Sequence, residues 1–215
     1  MKKYLFILAA FLLPMCVATA DAQLFQSKSL TGRLEASAYL KGAVTEENGE
    51  VVFAKTLEVP GKSKAQIVAN LRRWASLRYM AEASQGVWTD KNYFKNYEHA
   101  RVATIDAEST PAVIECQADE ELIFTNKTLS KDYSRLNYTL TLQVTDGKVQ
   151  VRMNHIVYTY TLTDQAQRIL AEDWITDAEA FSKKGQLLRN VAKFRVKTID
   201  LKDELMSEIQ EEAGR

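Results

Sequence analysis

Tyr138-Thr139-Leu140-Thr141-Leu142-Gln143-Val144-Thr145-Asp146-Gly147-Lys148-Val149-Gln150-Val151-Arg152-Met153 alternates apolar and polar side chains on both sides of Asp146-Gly147. A period of two puts Tyr138, Leu140, Leu142 and Val144 on one face of a strand and the threonines and Gln143 on the other. Asp-Gly is a two-residue hairpin turn, because its second position accepts the positive φ that the strand twist requires. The stretch therefore predicts an antiparallel pair with one buried and one wet face. Past Met153 the alternation slips at Asn154-His155-Ile156, and Ile156, Tyr158 and Tyr160 fall where the polar face would continue. One extra residue, a β-bulge, accounts for such a slip.

The segments before this hairpin supply more sheet and a helix. Residues 50–59 are rich in Val and Phe and are stopped by Pro60-Gly61, which marks a strand. Ser63 with Gln66 three residues on is a capping box. Ile67, Leu71, Trp74 and Ala75 then repeat at helical spacing, with Arg78 on the flank and Arg72 and Arg73 outside. That predicts an amphipathic helix to about Met80 whose stripe, Trp74 included, lies on the sheet. Residues 101–105 and 112–116 read as two further strands joined through Ser109-Thr110-Pro111. The acidic Asp119-Glu120-Glu121 reads as a solvated strand end, past which the strand can run to Phe124.

From Thr163 onward the pattern is helical. Thr163-Asp164 can cap a start, Gly185 interrupts the middle, and Leu187, Leu188, Val191, Ile199, Leu205 and Ile209 mark a long charged final helix without a clean heptad. The order β-α-β-β-β-β-α predicts an α+β fold: a curved antiparallel sheet backed by helices on one face, the other face open. The expected organisation is a leader over 1–22, a lead-in over 23–49 that is partly helical around residues 30–40, a sheet domain over 50–165, and a helical part over 166–215 packed on it.

A family resemblance rests on Tyr39-Leu40-Lys41-Gly42-Ala43-Val44, on Asn48-Gly49-Glu50-Val51-Val52-Phe53, on the helix after Gly61-Lys62-Ser63, on the hairpin over 140–160 and on Lys183-Lys184-Gly185. With these the chain resembles a family of exported bacterial proteins that carry a domain of unknown function with a TATA-binding-protein-like fold, over roughly residues 39–210. The resemblance implies a helix-backed antiparallel sheet, no enzyme and no catalytic residues. Two departures stand out: Thr45 where a proline is common, and a long aromatic segment over 84–98. A shared fold with a DNA-binding protein says nothing about DNA binding here.

The first 22 residues read as an export signal. Lys2 and Lys3 are followed by an apolar run over 4–13, then Pro14 and the small residues Ala18-Thr19-Ala20-Asp21-Ala22. Such a run is too short to span a bilayer, which takes about 20 residues. Cleavage after Ala22 gives Gln23 as the mature start and a periplasmic or secreted protein. The rival, a lipoprotein anchored at Cys16, has Leu13 in its favour and Pro14 and Met15 against it, and membrane attachment depends on it alone.

The chain carries 28 basic and 28 acidic side chains, so it lacks the positive excess that neutralises a phosphate backbone, and no nucleic-acid partner is expected. Cleavage leaves Cys116 as the single thiol. Within Ile114-Glu115-Cys116-Gln117-Ala118 it shares a face with Ile114 and Ala118 and reads as a small buried apolar residue.

Neither His99, placed in a polar loop, nor His155, placed in the sheet, has a metal-ligand spacing. The sequence carries no calcium loop, P-loop, nucleophile elbow or dinucleotide fingerprint. No catalytic residue, cofactor or metal is therefore expected. The segment richest in binding chemistry is the aromatic one: Trp88, Tyr93, Phe94 and Tyr97 interleave with amides and charges, and Tyr158 and Tyr160 are expected to extend that surface on the open sheet face. The expectation is a non-enzymatic binding or scaffold module of the cell envelope whose partner is an envelope protein or a glycan. Binding of a glycan or peptidoglycan through the aromatic segment is the alternative, and a carboxylate-dependent hydrolase the remote one.

Overall fold

The computed structural model describes residues 37–84, 101–127, 130–162 and 165–215. A short 3-10 turn, Ser37–Tyr39, leads into the small hairpin of β1, Glu46–Glu47, and β2, Glu50–Val51. The main sheet contains β3, Phe53–Glu58; β4, Arg101–Asp106; β5, Ala112–Lys127; β6, Ser130–Thr145; β7, Lys148–Leu162; and β8, Gln165–Leu170. Its helices are α1, Lys64–Ser84; the single turn α2, Asp177–Ala180; and α3, Arg189–Ala213. Every pairing is antiparallel, in the order β3-β7-β6-β5-β4, with β8 also on β7.

The hairpin forms at the expected turn, Gly147 taking φ 68°. Its strands run well beyond the alternating stretch, to Ser130 and Leu162. Leu136, Tyr138, Leu140, Leu142, Val149, Val151 and Met153 are all buried in one core, together with Ile114 and Cys116 of β5, Ile67, Leu71 and Trp74 of α1, and Phe194, Val196 and Ile199 of α3. Both long helices thus back the same face of the sheet.

The start of α1 is held from two sides. Ser63 N–H donates to Gln66 Oε1 at 3.0 Å and Gln66 N–H to Ser63 Oγ at 3.4 Å, the reciprocal box read from sequence. Asp146, in the hairpin turn, accepts from Lys64 N–H at 2.6 Å. It so satisfies an orphan donor of the first turn with a charge the helix dipole favours. Turn and helix are locked together by one carboxylate.

Two expectations are corrected. Gln165–Leu170 is a strand, not the beginning of a helix, and it pairs with Val157 to Leu162 of β7. Only Ile169 of these six residues is buried, too little for a helical face, whereas the edge of β7 offers backbone partners. Asp119-Glu120-Glu121 is no solvated end but lies inside β5. Asp119 is 4% exposed and bonded to Arg135 Nε at 2.8 Å. Glu120 joins Arg78 at 3.1 Å, and Glu121 pairs with Lys131. Each acid is met in the sheet by a cation on a neighbouring element.

Arg195 of α3 is the largest fully buried side chain among the described residues. Its Nε donates to the carbonyl of Tyr39 at 2.9 Å, one Nη to that of Ile175, and the other to that of Leu40 at 2.6 Å and to Asp177 Oδ1 at 2.7 Å. Asp177 in turn accepts from Gly42 N–H at 2.6 Å. One guanidinium therefore fixes the lead-in over 37–42 and the turn over 171–177 to the last helix.

Candidate functional site

β3 and β8 share one edge of β7. β3 pairs with Lys148 to Met153 and β8 with Val157 to Leu162, so residues 154–156 lie in the gap between them. At that gap the β6–β7 register slips by the expected bulge: Thr139 faces Asn154, and the next pair is Asn137 with Val157. His155 takes the left-handed conformation, φ 52°, which a non-glycine residue adopts only when its surroundings hold it there. Its N–H donates to Glu50 Oε1 at 3.0 Å, and its ring nitrogen stands 3.4 Å from the same oxygen while the side chain remains 65% exposed. The neighbouring Ile156 carbonyl accepts from Ala171 N–H at 3.0 Å.

The face away from the helices hollows at this point into a groove of about 1020 Å³. Its lining follows from the register. Asn137, Val157 and Leu170 form one row across β6, β7 and β8, and Thr159 and Arg168 belong to the next. Gln117 and Thr139 form a facing pair on β5 and β6. Glu50, Glu172 and Asp173 stand on the rim beside His155. Val157 and Thr159 are each 6% exposed, whereas Leu170 is 46% exposed, so the floor is partly apolar and partly open. Glu172 Oε1 accepts from Val51 N–H at 2.8 Å and ties the rim after β8 to β2. Arg168 and Asp173 have no ion-pair partner among the described residues. Also among the described residues, no group of His, Cys, Asp and Glu could hold a metal ion.

Of the aromatic residues expected to form a binding surface, Trp88, Tyr93, Phe94 and Tyr97 lie outside the described residues, as does His99. Tyr158 and Tyr160 belong to the opposite face from the one expected. The bulge adds one residue to β7 and restores the phase, so that Tyr158 faces Leu136 and joins the core. Tyr158 is fully buried, its hydroxyl 2.7 Å from Thr198 Oγ1 of α3, and burial pushes that hydroxyl above its ordinary range. The half-buried Tyr160 packs edge-on against Phe124 and Phe194, with Lys193 Nζ 4.3 Å over its ring and 2.8 Å from Asp132. His155, expected in the second hairpin strand near the bulge with core or sheet-face packing, lies in β7 at the bulge, outside the core and on the groove lining. Cys116 is buried as expected, and loss of solvation pushes its thiol up to about 12.

Sequence reasoning missed Gln117, Asn137, Arg168, Leu170, Glu172 and Asp173. The slip at Asn154-His155-Ile156 was the available signal. A bulge in a strand whose outer edge is shared by two short partners opens a gap, and the residues flanking that gap line it.

A model of a family described as a domain of unknown function, DUF4468, with a TBP-like fold matches residues 53–159. Among solved structures, the chain is similar to a DUF4468 family protein from Bacteroides ovatus ATCC 8483, with 30% identity and a TM-score of 0.68, covering 83% of this chain and 94% of that one. It is also similar in fold to a TBP-like protein from Parabacteroides distasonis ATCC 8503, with 17% identity and a TM-score of 0.58, covering 79% and 96%. No curated protein matches the chain.

Proposed function

The chain belongs to the DUF4468 family of TBP-like fold, and for it we propose a non-enzymatic binding module, exported to the cell envelope, that takes its partner in the groove beside the β7 bulge. The observation that carries this reading is the groove itself. It lies on the sheet face that the helices leave bare, at a place where the backbone holds His155 in an uncommon conformation to keep the gap between β3 and β8. Its lining combines an apolar floor with amides, hydroxyls and separated charges, the mixture by which a concave site orients a partner. The signal-peptide-like pattern over residues 1–22 supports export, and among the described residues no helix is long and apolar enough to cross a membrane.

The test is a photo-crosslinking amino acid placed at Leu170, compared with one at the exposed Arg72 of α1, in cells that make the protein natively. The expected result is a discrete adduct from Leu170 that disappears when Thr159→Trp fills the groove at unchanged melting temperature. Adducts of equal yield from Arg72 refute the assignment of the site. A turnover abolished by changing one polar groove residue refutes the non-enzymatic reading.

A further inference from the structure

We propose that the partner segment taken by the groove is an extended peptide bearing a basic side chain, an inference that rests on the groove being the binding site. Three carboxylates, Glu50, Glu172 and Asp173, stand on the lining against one guanidinium, Arg168. Two of the three already accept a backbone N–H, from His155 and Val51, and a carboxylate retains further acceptor positions beyond one such bond. Asp173 donates its N–H to the Leu170 carbonyl at 3.2 Å, and its carboxylate has no hydrogen-bond or ion-pair partner among the described residues. The field at this rim is negative, and its unused capacity is for accepting hydrogen bonds. An ammonium or guanidinium matches both, since each is a donor without acceptor sites.

The rest of the lining points to a peptide as the carrier of that charge. Gln117 and Asn137, on adjacent strands, offer side-chain amides able to pair with peptide N–H and C=O groups. Asn137 already donates to a backbone carbonyl, that of Ala118, at 3.4 Å. Beside them Val157 and the half-exposed Leu170 give an apolar floor for the intervening side chain. A volume of about 1020 Å³ is at the upper end of small-molecule sites and suits several residues of chain better than a lone amine.

The experiment titrates the purified full chain with capped, fluorescein-labelled hexapeptides that alternate alanine with arginine, glutamine or glutamate, and follows anisotropy. Spermine serves as the unlabelled competitor. The arginine peptide is expected to bind, more weakly at high ionic strength. Asp173→Asn should lower its affinity about threefold, and Asp173→Asn with Glu172→Gln about tenfold, because the amide keeps the bond to Val51 and removes only the charge. Arg168→Gln should raise affinity about threefold by removing the repulsive cation. That gain is the decisive readout, since a merely structural role for Arg168 cannot produce it. Equal or tighter binding of the glutamate peptide, insensitivity to the rim variants, or spermine displacing the arginine peptide at concentrations below that peptide's own Kd would each overturn the inference. If no peptide binds while the Leu170 crosslink persists and remains sensitive to Thr159→Trp, the basic-peptide assignment fails and the groove assignment stands.

Discussion

Replacing Arg195 by methionine tests how the lead-in over 37–42 and the turn over 171–177, which carries the rim residues Glu172 and Asp173, are held. The side chain is fully buried and serves four acceptors: the carbonyls of Tyr39, Leu40 and Ile175 and the carboxylate of Asp177. Methionine keeps much of the volume and none of the donors. The carbonyls of Tyr39 and Ile175 lose their donor, at about 1–3 kcal/mol each, whereas that of Leu40 keeps the N–H of Ala43. Asp177 is about one-third exposed and can turn to water, so its loss adds little. Against this, methionine avoids the cost of desolvating a guanidinium. The net expectation is a loss of about 2–4 kcal/mol, a large share of the stability of an ordinary domain. Arg195→Lys should lose nearly as much, because a single ammonium cannot reach carbonyls on two separate segments. Urea unfolding followed by circular dichroism and Trp fluorescence measures the difference. A change below about 1 kcal/mol for Arg195→Met at unchanged m-value would refute the claim that this guanidinium holds the lead-in and the turn over 171–177 to α3.

Asp146→Ala should lower stability by about 1 kcal/mol in the same assay, through the lost cap on Lys64 N–H, and Asp146→Asn should retain most of it. His155→Gly should be neutral or stabilising by up to about 1 kcal/mol, since glycine adopts φ 52° without strain and keeps the N–H bond to Glu50, whereas His155→Val should destabilise. Stability should also fall at alkaline pH. The Cys116 thiol is raised to about 12 in the fold, so its contribution is whole below the unfolded value of about 8.5 and is lost as pH rises towards 12. Urea midpoints across that window should decline less steeply for Cys116→Ala than for the parent chain, and a midpoint independent of pH would contradict the burial argument.

Much of the sheet and the first helix was legible because each rests on local signals. The alternation around Asp146-Gly147, the Ser63–Gln66 box and the stripe through Ile67, Leu71 and Trp74 all depend on near neighbours in the chain. The misreadings share the opposite property. Asp119-Glu120-Glu121 looked like a solvated strand end because its cations, Arg135, Arg78 and Lys131, come from other elements. Gln165–Leu170 became a strand because β7 had an edge to fill, which no window of six residues reveals. Tyr158 and Tyr160 went to the wrong face because a bulge of one residue reverses every assignment beyond it.

That reversal also explains why the groove and the core are two consequences of one residue. Without the extra position in β7, the alternation that buries Val149, Val151 and Met153 would carry Val157 and Thr159 towards the helices and turn Tyr158 outward. With it, Tyr158 reaches Thr198 beneath α3, and Val157 and Thr159 become the floor of the opposite face. The same irregularity interrupts the β7 edge, so β3 and β8 meet it on either side of a gap rather than as one continuous neighbour. His155 bears the backbone strain of this arrangement, and Glu50 and Ala171 satisfy the backbone groups that the missing strand would have paired. Deleting one residue from Asn154-His155-Ile156 should therefore do more than close the groove. It should place Tyr158 in water and leave Thr198 buried without its partner, so that loss of partner binding and loss of cooperative unfolding arrive together. The point substitutions on the rim, by contrast, should separate them.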